Sequence, residues 1–222
     1  MDGNGRWAQR RGLPRWEGHR AGTDNVNSIL EAMEQLGVKY VTLFAFSTEN
    51  WNRPREEVLG LMALLQDVVE RETGRLHQRN VRVRYLGRTD RLTPQLRECI
   101  QRSLDMTKHN TGLNLSLAFD YGGRDEIVHA VRRIVQDGIP PEQITEDLFQ
   151  QYLYTSDLPD PDLIIRTGGE LRLSNFLPWQ SVYSEYYCSP VFWPDFDRDE
   201  LERVLEAYSQ RKRRFGGLDA AE

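Results

Sequence analysis

Met1-Asp2-Gly3-Asn4-Gly5-Arg6-Trp7 opens the chain with a carboxylate, two glycines around an asparagine, and an arginine. Glycines let backbone N–H groups approach an anion and adopt positive φ without a Cβ clash. Asp2 suits a divalent cation, and Arg6 suits phosphate oxygens. A second anion-type segment, Arg166-Thr167-Gly168-Gly169-Glu170-Leu171-Arg172-Leu173-Ser174-Asn175-Phe176, lies far down the chain. Its two arginines, glycine pair and serine offer forked donors and backbone N–H groups to phosphate. Two anion cradles in one chain of 222 residues point to two phosphorylated substrates. A third polar cluster, Ser47-Thr48-Glu49-Asn50-Trp51-Asn52-Arg53-Pro54, follows the apolar run ending at Phe46. Ligands of parallel sheets bind beyond the carboxyl ends of strands, which is where Ser47, Asn50, Trp51 and Arg53 would then lie. Glu185 stands among aromatic residues, where a lone glutamate reads as structural until other motifs promote it.

The elements that must position these residues alternate along the chain. Tyr40–Phe46 is apolar, β-branched and aromatic, as in a buried strand. Val81–Gly87 and Leu113–Phe119 alternate as strands do, and Asp162–Arg166 is a short buried strand after a proline-rich turn. Between them, residues 20–36, 55–79, 94–108, 124–136 and 198–214 carry apolar residues at helical spacing. This alternation predicts an α/β fold, a parallel-sheet core flanked by helices, in one domain over 1–222. A phosphate loop in such a sheet ordinarily follows a strand. Nothing before Asp2 can form one, so either the sequence begins past that first strand, which is the expectation, or the sheet lacks a central member.

Hydrophobic residues make up 39% of the chain, enough for a sizeable core, and the net charge of −5 argues against a nucleic-acid partner. Cys99 and Cys188 stand alone with no CxxC, so neither a disulfide framework nor structural zinc is expected, and a reducing compartment fits. There is no apolar run of membrane-spanning length and no signal peptide. The protein is therefore expected in the cytoplasm. No GxxxxGK[ST] and no DDxxD occurs, which disfavours a Walker-type NTPase and aspartate-clustered metals.

Five blocks together resemble the signatures of cis-prenyltransferases, of which bacterial undecaprenyl diphosphate synthases are the best-known members. They are Asp2–Trp7, Gly18-His19-Arg20-Ala21-Gly22, Phe46–Pro54, Arg166–Phe176 and Trp193-Pro194-Asp195-Phe196, in the family's order and over essentially the whole chain. The resemblance implies a Mg²⁺-dependent enzyme that condenses isopentenyl diphosphate with an allylic diphosphate such as farnesyl diphosphate, giving a cis polyprenyl diphosphate of undecaprenyl type. By the same resemblance Asp2 binds Mg²⁺ and is catalytic, with Glu185 as the second metal carboxylate. Gly3, Asn4, Gly5 and Arg6, helped by Arg15 and His19, would hold the allylic diphosphate. Trp7, Ser47, Thr48, Glu49, Trp51 and Arg53 would contact substrate, and Asn50 would assist proton removal. Arg166, Arg172, Leu173 and Ser174 would hold isopentenyl diphosphate. Arg214-Phe215-Gly216 resembles the element that reaches into a partner subunit, implying a homodimer. The product would associate with a membrane, with the enzyme peripheral to it. Ala45 resembles the small residue that leaves room for longer products.

A growing polyprenyl tail needs an apolar tunnel between sheet and helices. Leu61, Met62, Leu65, Val69, Leu96, Ile100 and Leu104 are the candidates to line it. Two other readings compete: a non-catalytic subunit of a prenyltransferase complex, and a phosphate-binding α/β hydrolase. The first ordinarily lacks the aspartate and several arginines, all of which stand here.

Overall fold

A computed structural model describes residues 1–211. Helix α1 (Asn4–Arg10) and helix α2 (Arg15–Gln35) lead into strand β1 (Tyr40–Ser47), a 3₁₀ turn (Thr48–Asn52) and helix α3 (Arg55–Gln78). There follow β2 (Arg82–Leu86), α4 (Pro94–Thr107), β3 (Asn114–Tyr121) and α5 (Gly123–Gln136). The chain continues through the short α6 (Glu146–Gln150), β4 (Leu163–Arg166), β5 (Glu185–Cys188) and α7 (Arg198–Ser209).

All strand pairs are parallel, in two pieces: β1-β3-β2, and β4-β5. Helices join β1 to β2, β2 to β3 and β3 to β4, whereas β4 and β5 are joined by the long non-helical segment 167–184. One core packs Ile29 and Leu30 of α2, Val41 and Leu43 of β1, and Leu201 and Val204 of α7 around Trp193 and Phe196. A second packs Phe46 and Phe119 at the strand ends against Val58, Leu65, Leu96 and Ile100. Helix starts are specified locally: Thr93 accepts from Leu96 N–H ahead of Pro94, and Asp197 accepts from Glu200 N–H.

The four predicted strands and five helices are present, with three differences. Gly3–Trp7 is a helix start rather than a loop: Gly3 takes φ 103° and Trp7 N–H donates to its carbonyl at 2.8 Å. Tertiary packing selects the helix, because Asn4 lies on α2 where its glycines leave room. A Cβ at Gly18 would sit 1.9 Å from the Asn4 carbonyl oxygen, and one at Gly22 would sit 2.6 Å from Asn4 Oδ1. Helix α2 begins five residues earlier than its apolar spacing suggests, so Arg15 and His19 share one helix face. The strand β5 was not predicted; only four residues long, with a largely aromatic Glu-Tyr-Tyr-Cys sequence, it shows no clear alternation. Arg214-Phe215-Gly216 lies outside the described residues.

The tunnel candidates fall mainly in core. Leu65, Leu96 and Ile100 are buried with Phe46, while Met62, Val69 and Leu104 pack against them. Leu61 is the one of the seven that lines the principal cavity.

Candidate active site

A cavity of about 1140 Å³ opens at the carboxyl ends of β1 and β4 and runs between these two strands. Asp2 sits at its mouth, tied to the end of β4. Its N–H donates to Thr167 Oγ1 at 2.8 Å, and the Thr167 hydroxyl donates back to the Asp2 carbonyl at 2.9 Å. Its carboxylate accepts from Gly3 N–H at 2.7 Å and from Arg166 Nη2 at 2.9 Å, with Arg6 3.4 Å away. Burial pushes the Asp2 pKa up, but the Arg166 and Gly3 hydrogen bonds and the two guanidinium charges outweigh it and hold the group below the usual carboxylate range.

Arg166 is the hub of the second segment. Its Nη1 donates to Ser174 Oγ at 2.8 Å and also to the Arg172 carbonyl. Gly168, Gly169, Ser174 and Asn175 all take positive φ, between 50° and 88°, and the Gly168 and Gly169 N–H groups donate to the Val191 and Ser189 carbonyls at 2.7 and 2.9 Å, which fixes this curled segment beside β5. A Cβ on Gly168 would lie 2.7 Å from the Arg6 guanidinium, so the two anion segments touch. Glu170 joins them as well, accepting from Arg6 at 3.2 Å and from Arg172 at 2.5 Å.

On the other side, Glu57 of α3 gathers cations through one oxygen. Arg53 Nη1 is 3.1 Å away, Arg15 Nη2 is 3.4 Å away, and His19 Nε2 is 3.4 Å away but not aligned to hydrogen-bond. Burial lowers the His19 pKa, and the Arg53 charge adds to this against the opposing pull of Glu57. In Glu57 the same arginines overcome a burial that would raise its pKa. Ser47 and Asn50 cap the 3₁₀ turn reciprocally, with Asn50 Oδ1 accepting from Ser47 N–H at 3.0 Å.

The structure thus brings Asp2, Gly3, Asn4, Gly5, Arg6, Arg15, His19, Ser47, Asn50, Arg53, Arg166, Arg172, Leu173 and Ser174 to one cavity wall. It places the remaining expected residues elsewhere. Trp7 donates to Asp195 at 2.7 Å beneath the Arg11 guanidinium. Thr48 donates to Glu49 at 3.2 Å, and Glu49 accepts from Asn175 at 2.8 Å beside a smaller cavity of about 290 Å³. Trp51 turns toward β3. Glu185 pairs opposite Leu163, at the start of β4, whereas Asp2 sits past its end; the offset is roughly 10 Å along the strands. Its carboxylate accepts from Arg211 at 2.6 Å, so one chain does not bring the two expected metal carboxylates together.

Sequence reasoning missed Glu57, Thr167 and Glu170 as site residues. Glu57 and Glu170 read as ordinary exposed glutamates, although both fall inside or beside the anion blocks. Among the described residues, four buried side-chain polar atoms have no partner: Asn4 Oδ1, His19 Nε2, Arg166 Nε and Gln180 Oε1. All four belong to residues that line this cavity.

Comparison with known proteins decides the family. Residues 1–216 match the family model described as putative undecaprenyl diphosphate synthase. The chain belongs to this family. An isoprenyl transferase of Clostridium perfringens is 50% identical over 222 residues, covering 98% of this chain and 88% of that protein. One from Streptococcus agalactiae is 50% identical over 226 residues, covering 98% and 90%. Among solved structures, lavandulyl diphosphate synthase from Lavandula x intermedia, in complex with dimethylallyl diphosphate, superposes with a TM-score of 0.93 at 37% identity. It covers 97% of this chain and 95% of that one. A probable undecaprenyl diphosphate synthase from Campylobacter jejuni gives 0.80 at 35% identity, covering 89% and 92%. The protein is accordingly an isoprenyl transferase that elongates prenyl chains with cis geometry, and its parallel α/β fold is the family's.

Proposed function

We propose that the cavity holds two diphosphates side by side. The allylic diphosphate lies on the start of α1, against Gly3, Asn4, Gly5 and Arg6, with Arg15, His19 and Arg53 facing it. Isopentenyl diphosphate lies on Arg166, Arg172, Leu173 and Ser174. The observation that supports this reading is one cavity lined by both anion segments and by five arginines, Arg6, Arg15, Arg53, Arg166 and Arg172.

The chemistry follows from what these residues can do. As the allylic diphosphate departs, negative charge grows on its oxygens. Arg6, Arg15 and Arg53 are already oriented by Asp2, Glu170 and Glu57, so little reorganisation remains when that charge develops. Holding both substrates in register makes the carbon–carbon bond-forming step effectively unimolecular. Asn50, locked by Ser47 at the cavity wall, orients the proton that must leave the condensed product.

Mg²⁺ fits the donor set. This ion is commonly held by one or two carboxylates together with substrate phosphate oxygens and waters. Asp2 supplies the carboxylate, held ionised by Arg166, and the diphosphates supply the rest. When bound, the ion neutralises charge on the leaving diphosphate. Among the described residues no three His, Cys, Asp or Glu side chains cluster as metal ligands, which agrees with a site completed by substrate. Glu185 would contribute to such a site through a second copy rather than in cis.

Two further features belong to this reading. Val128, Val131 and Val135 form an exposed stripe on α5, and Val182 and Tyr183 are exposed beside β5, surfaces suited to a homodimer. A tail growing from the site would pass Ala45, Leu43 and Leu61, and this apolar wall favours a product of undecaprenyl type over a C15 one. No described helix is long and apolar enough to cross a membrane, so a cytoplasmic enzyme would meet its lipid product at the bilayer surface. Incubation with farnesyl diphosphate, labelled isopentenyl diphosphate and Mg²⁺ tests the reading. Butanol-extractable label in chains longer than C15, lost on chelation of the metal, is expected; no extractable label refutes the reading.

A further inference from the structure

The side chain that the family resemblance offers as a substrate contact, Trp51, is turned away from the cavity. Its indole N–H donates to Asp120 Oδ1 at 2.7 Å, and its ring packs edge-on against Phe46, 5.5 Å between centroids at 81°. Asp120 is fully buried near the end of β3 and takes φ 50°, an uncommon conformation for a non-glycine residue. Arg91, from the loop before α4, donates from Nε to Asp120 Oδ2 at 2.9 Å and from Nη2 to Oδ1. The same guanidinium lies over the Trp51 ring, 5.1 Å from its centroid. The backbone around Asp120 is fixed too. Its carbonyl accepts from Arg88 N–H at 3.1 Å, the Phe119 carbonyl accepts from Tyr85 Oη at 2.8 Å, and a Cβ at Gly87 would strike that carbonyl oxygen at 2.2 Å.

We propose that Asp120 and Arg91 are positioning residues that clamp Trp51, and through it hold the Thr48–Asn52 turn so that Asn50 and Arg53 face the diphosphates. A charged, bidentate pair at the carboxyl end of β3 is an expensive group to bury, and the buried carboxylate has one partner outside the pair: the turn that carries Asn50. The turn has few other ties. Glu49 to Asn175 holds its outer side, and the Ser47–Asn50 cap is internal to it. Without the indole N–H, the turn keeps the Glu49–Asn175 bond, the Trp51–Phe46 ring contact, the Arg53–Glu57 ion pair at 3.1 Å just beyond it, and close contact with Gly122, where a Cβ would meet Thr48 Oγ1 at 2.4 Å. Trp51 therefore acts on the reaction through its neighbours and touches neither substrate.

The inference rests on the two-diphosphate reading for its kinetic test, but the clamp itself has a separate readout. Trp51→Phe keeps the ring and removes the N–H; Asp120→Ala removes the acceptor; Asp120→Asn restores an acceptor without the charge. Each of the first two is expected to lower kcat roughly 10- to 100-fold, the scale of a misplaced catalytic group, with KM for isopentenyl diphosphate little changed. The double variant should be no slower than the slower single one, and Asp120→Asn should recover most of the rate. Independently, the Trp51 indole N–H resonance, identified by its loss in Trp51→Phe, should exchange with solvent faster in Asp120→Ala. Additive losses, a failure of Asp120→Asn to rescue, or unchanged indole exchange would overturn the clamp. An inactive wild-type enzyme would instead defeat the two-diphosphate reading, and the exchange measurement would still decide the clamp. Trp51→Phe leaves the Asp120–Arg91 pair and the aromatic packing in place, so it answers even if Asp120→Ala does not fold.

Discussion

Thr167→Val tests how Asp2 is held. The Thr167 hydroxyl, on a residue only 3% exposed, both accepts from Asp2 N–H at 2.8 Å and donates to the Asp2 carbonyl at 2.9 Å. Valine has the same shape and neither function. The Asp2 carbonyl keeps a partner, because Trp193 N–H donates to it at 3.0 Å, but the Asp2 N–H is orphaned. An orphaned buried donor costs about 1–3 kcal/mol, and the second lost hydrogen bond about 0.5–1.5 kcal/mol. For a chain of this size the sum corresponds to a fall in Tm of roughly 4–12 °C, read by calorimetry. Because the proposed Mg²⁺ site uses the Asp2 carboxylate, a small displacement should also lower kcat by about 10²-fold, read as label transferred from isopentenyl diphosphate. Thr167→Ser keeps both hydrogen bonds and should remain near wild type in activity. A valine variant with wild-type kcat, or a serine variant as impaired as valine, would refute the reasoning.

Other consequences can be checked together. Gly18→Ala puts a Cβ 1.9 Å from the Asn4 carbonyl oxygen and should destabilise by about 1–3 kcal/mol despite the better helix former, whereas Gly74→Ala on α3, where a Cβ meets nothing, should stabilise by about 0.5–1 kcal/mol; thermal melts of the pair decide. Arg166→Lys cannot reproduce the fork to Asp2 and Ser174 and should cost roughly 10²–10³ in kcat/KM for isopentenyl diphosphate; a loss under threefold would contradict its role. His19 has a folded pKa below its unfolded 6.5, so the unfolded chain binds the extra proton and stability falls as pH drops below about 6.5, levelling off once the pH passes the lowered value. His19→Gln should remove that part of the profile, and Glu57→Gln, by deleting a charge that favours the imidazolium, should shift the His19 titration further down in an NMR titration. Asp2 works in the other direction: its depressed pKa contributes stability that is present above about 3.8 and lost as pH falls through the lowered value, so Asp2→Asn should flatten the acid end alone.

The strands and long helices were legible from local pattern: Tyr40–Phe46 is a nearly continuous apolar run, with Val41 and Leu43 in one core and Phe46 in the other, and Leu96, Cys99 and Ile100 form one stripe of α4. The Asp2 and Arg166 segments stood out as candidate anion sites because two glycine- and arginine-bearing segments occur in one chain, and both line one cavity. Helix α1 was not, since a seven-residue segment containing Gly5 has poor intrinsic propensity and the helix exists through contact with Gly18 and Gly22, a long-range fact. The roles of Glu57, Thr167 and Asp120 depend on which side chains meet across elements, and no local pattern records that. Trp51 illustrates the same limit: its place in a motif suggested contact with substrate, and only the distance to Asp120 reveals what its indole does.

The central claim is that Asp2 and the Arg166–Ser174 segment serve one reaction space. The most direct measurement is an electron-density map of crystals grown with Mg²⁺, isopentenyl diphosphate and a non-reactive allylic diphosphate analogue. The account predicts both diphosphates in the one cavity, the first on Arg166, Arg172 and Ser174, the second on the start of α1, with Mg²⁺ on Asp2. A diphosphate bound away from either segment, or Mg²⁺ held by groups that exclude Asp2, would contradict it.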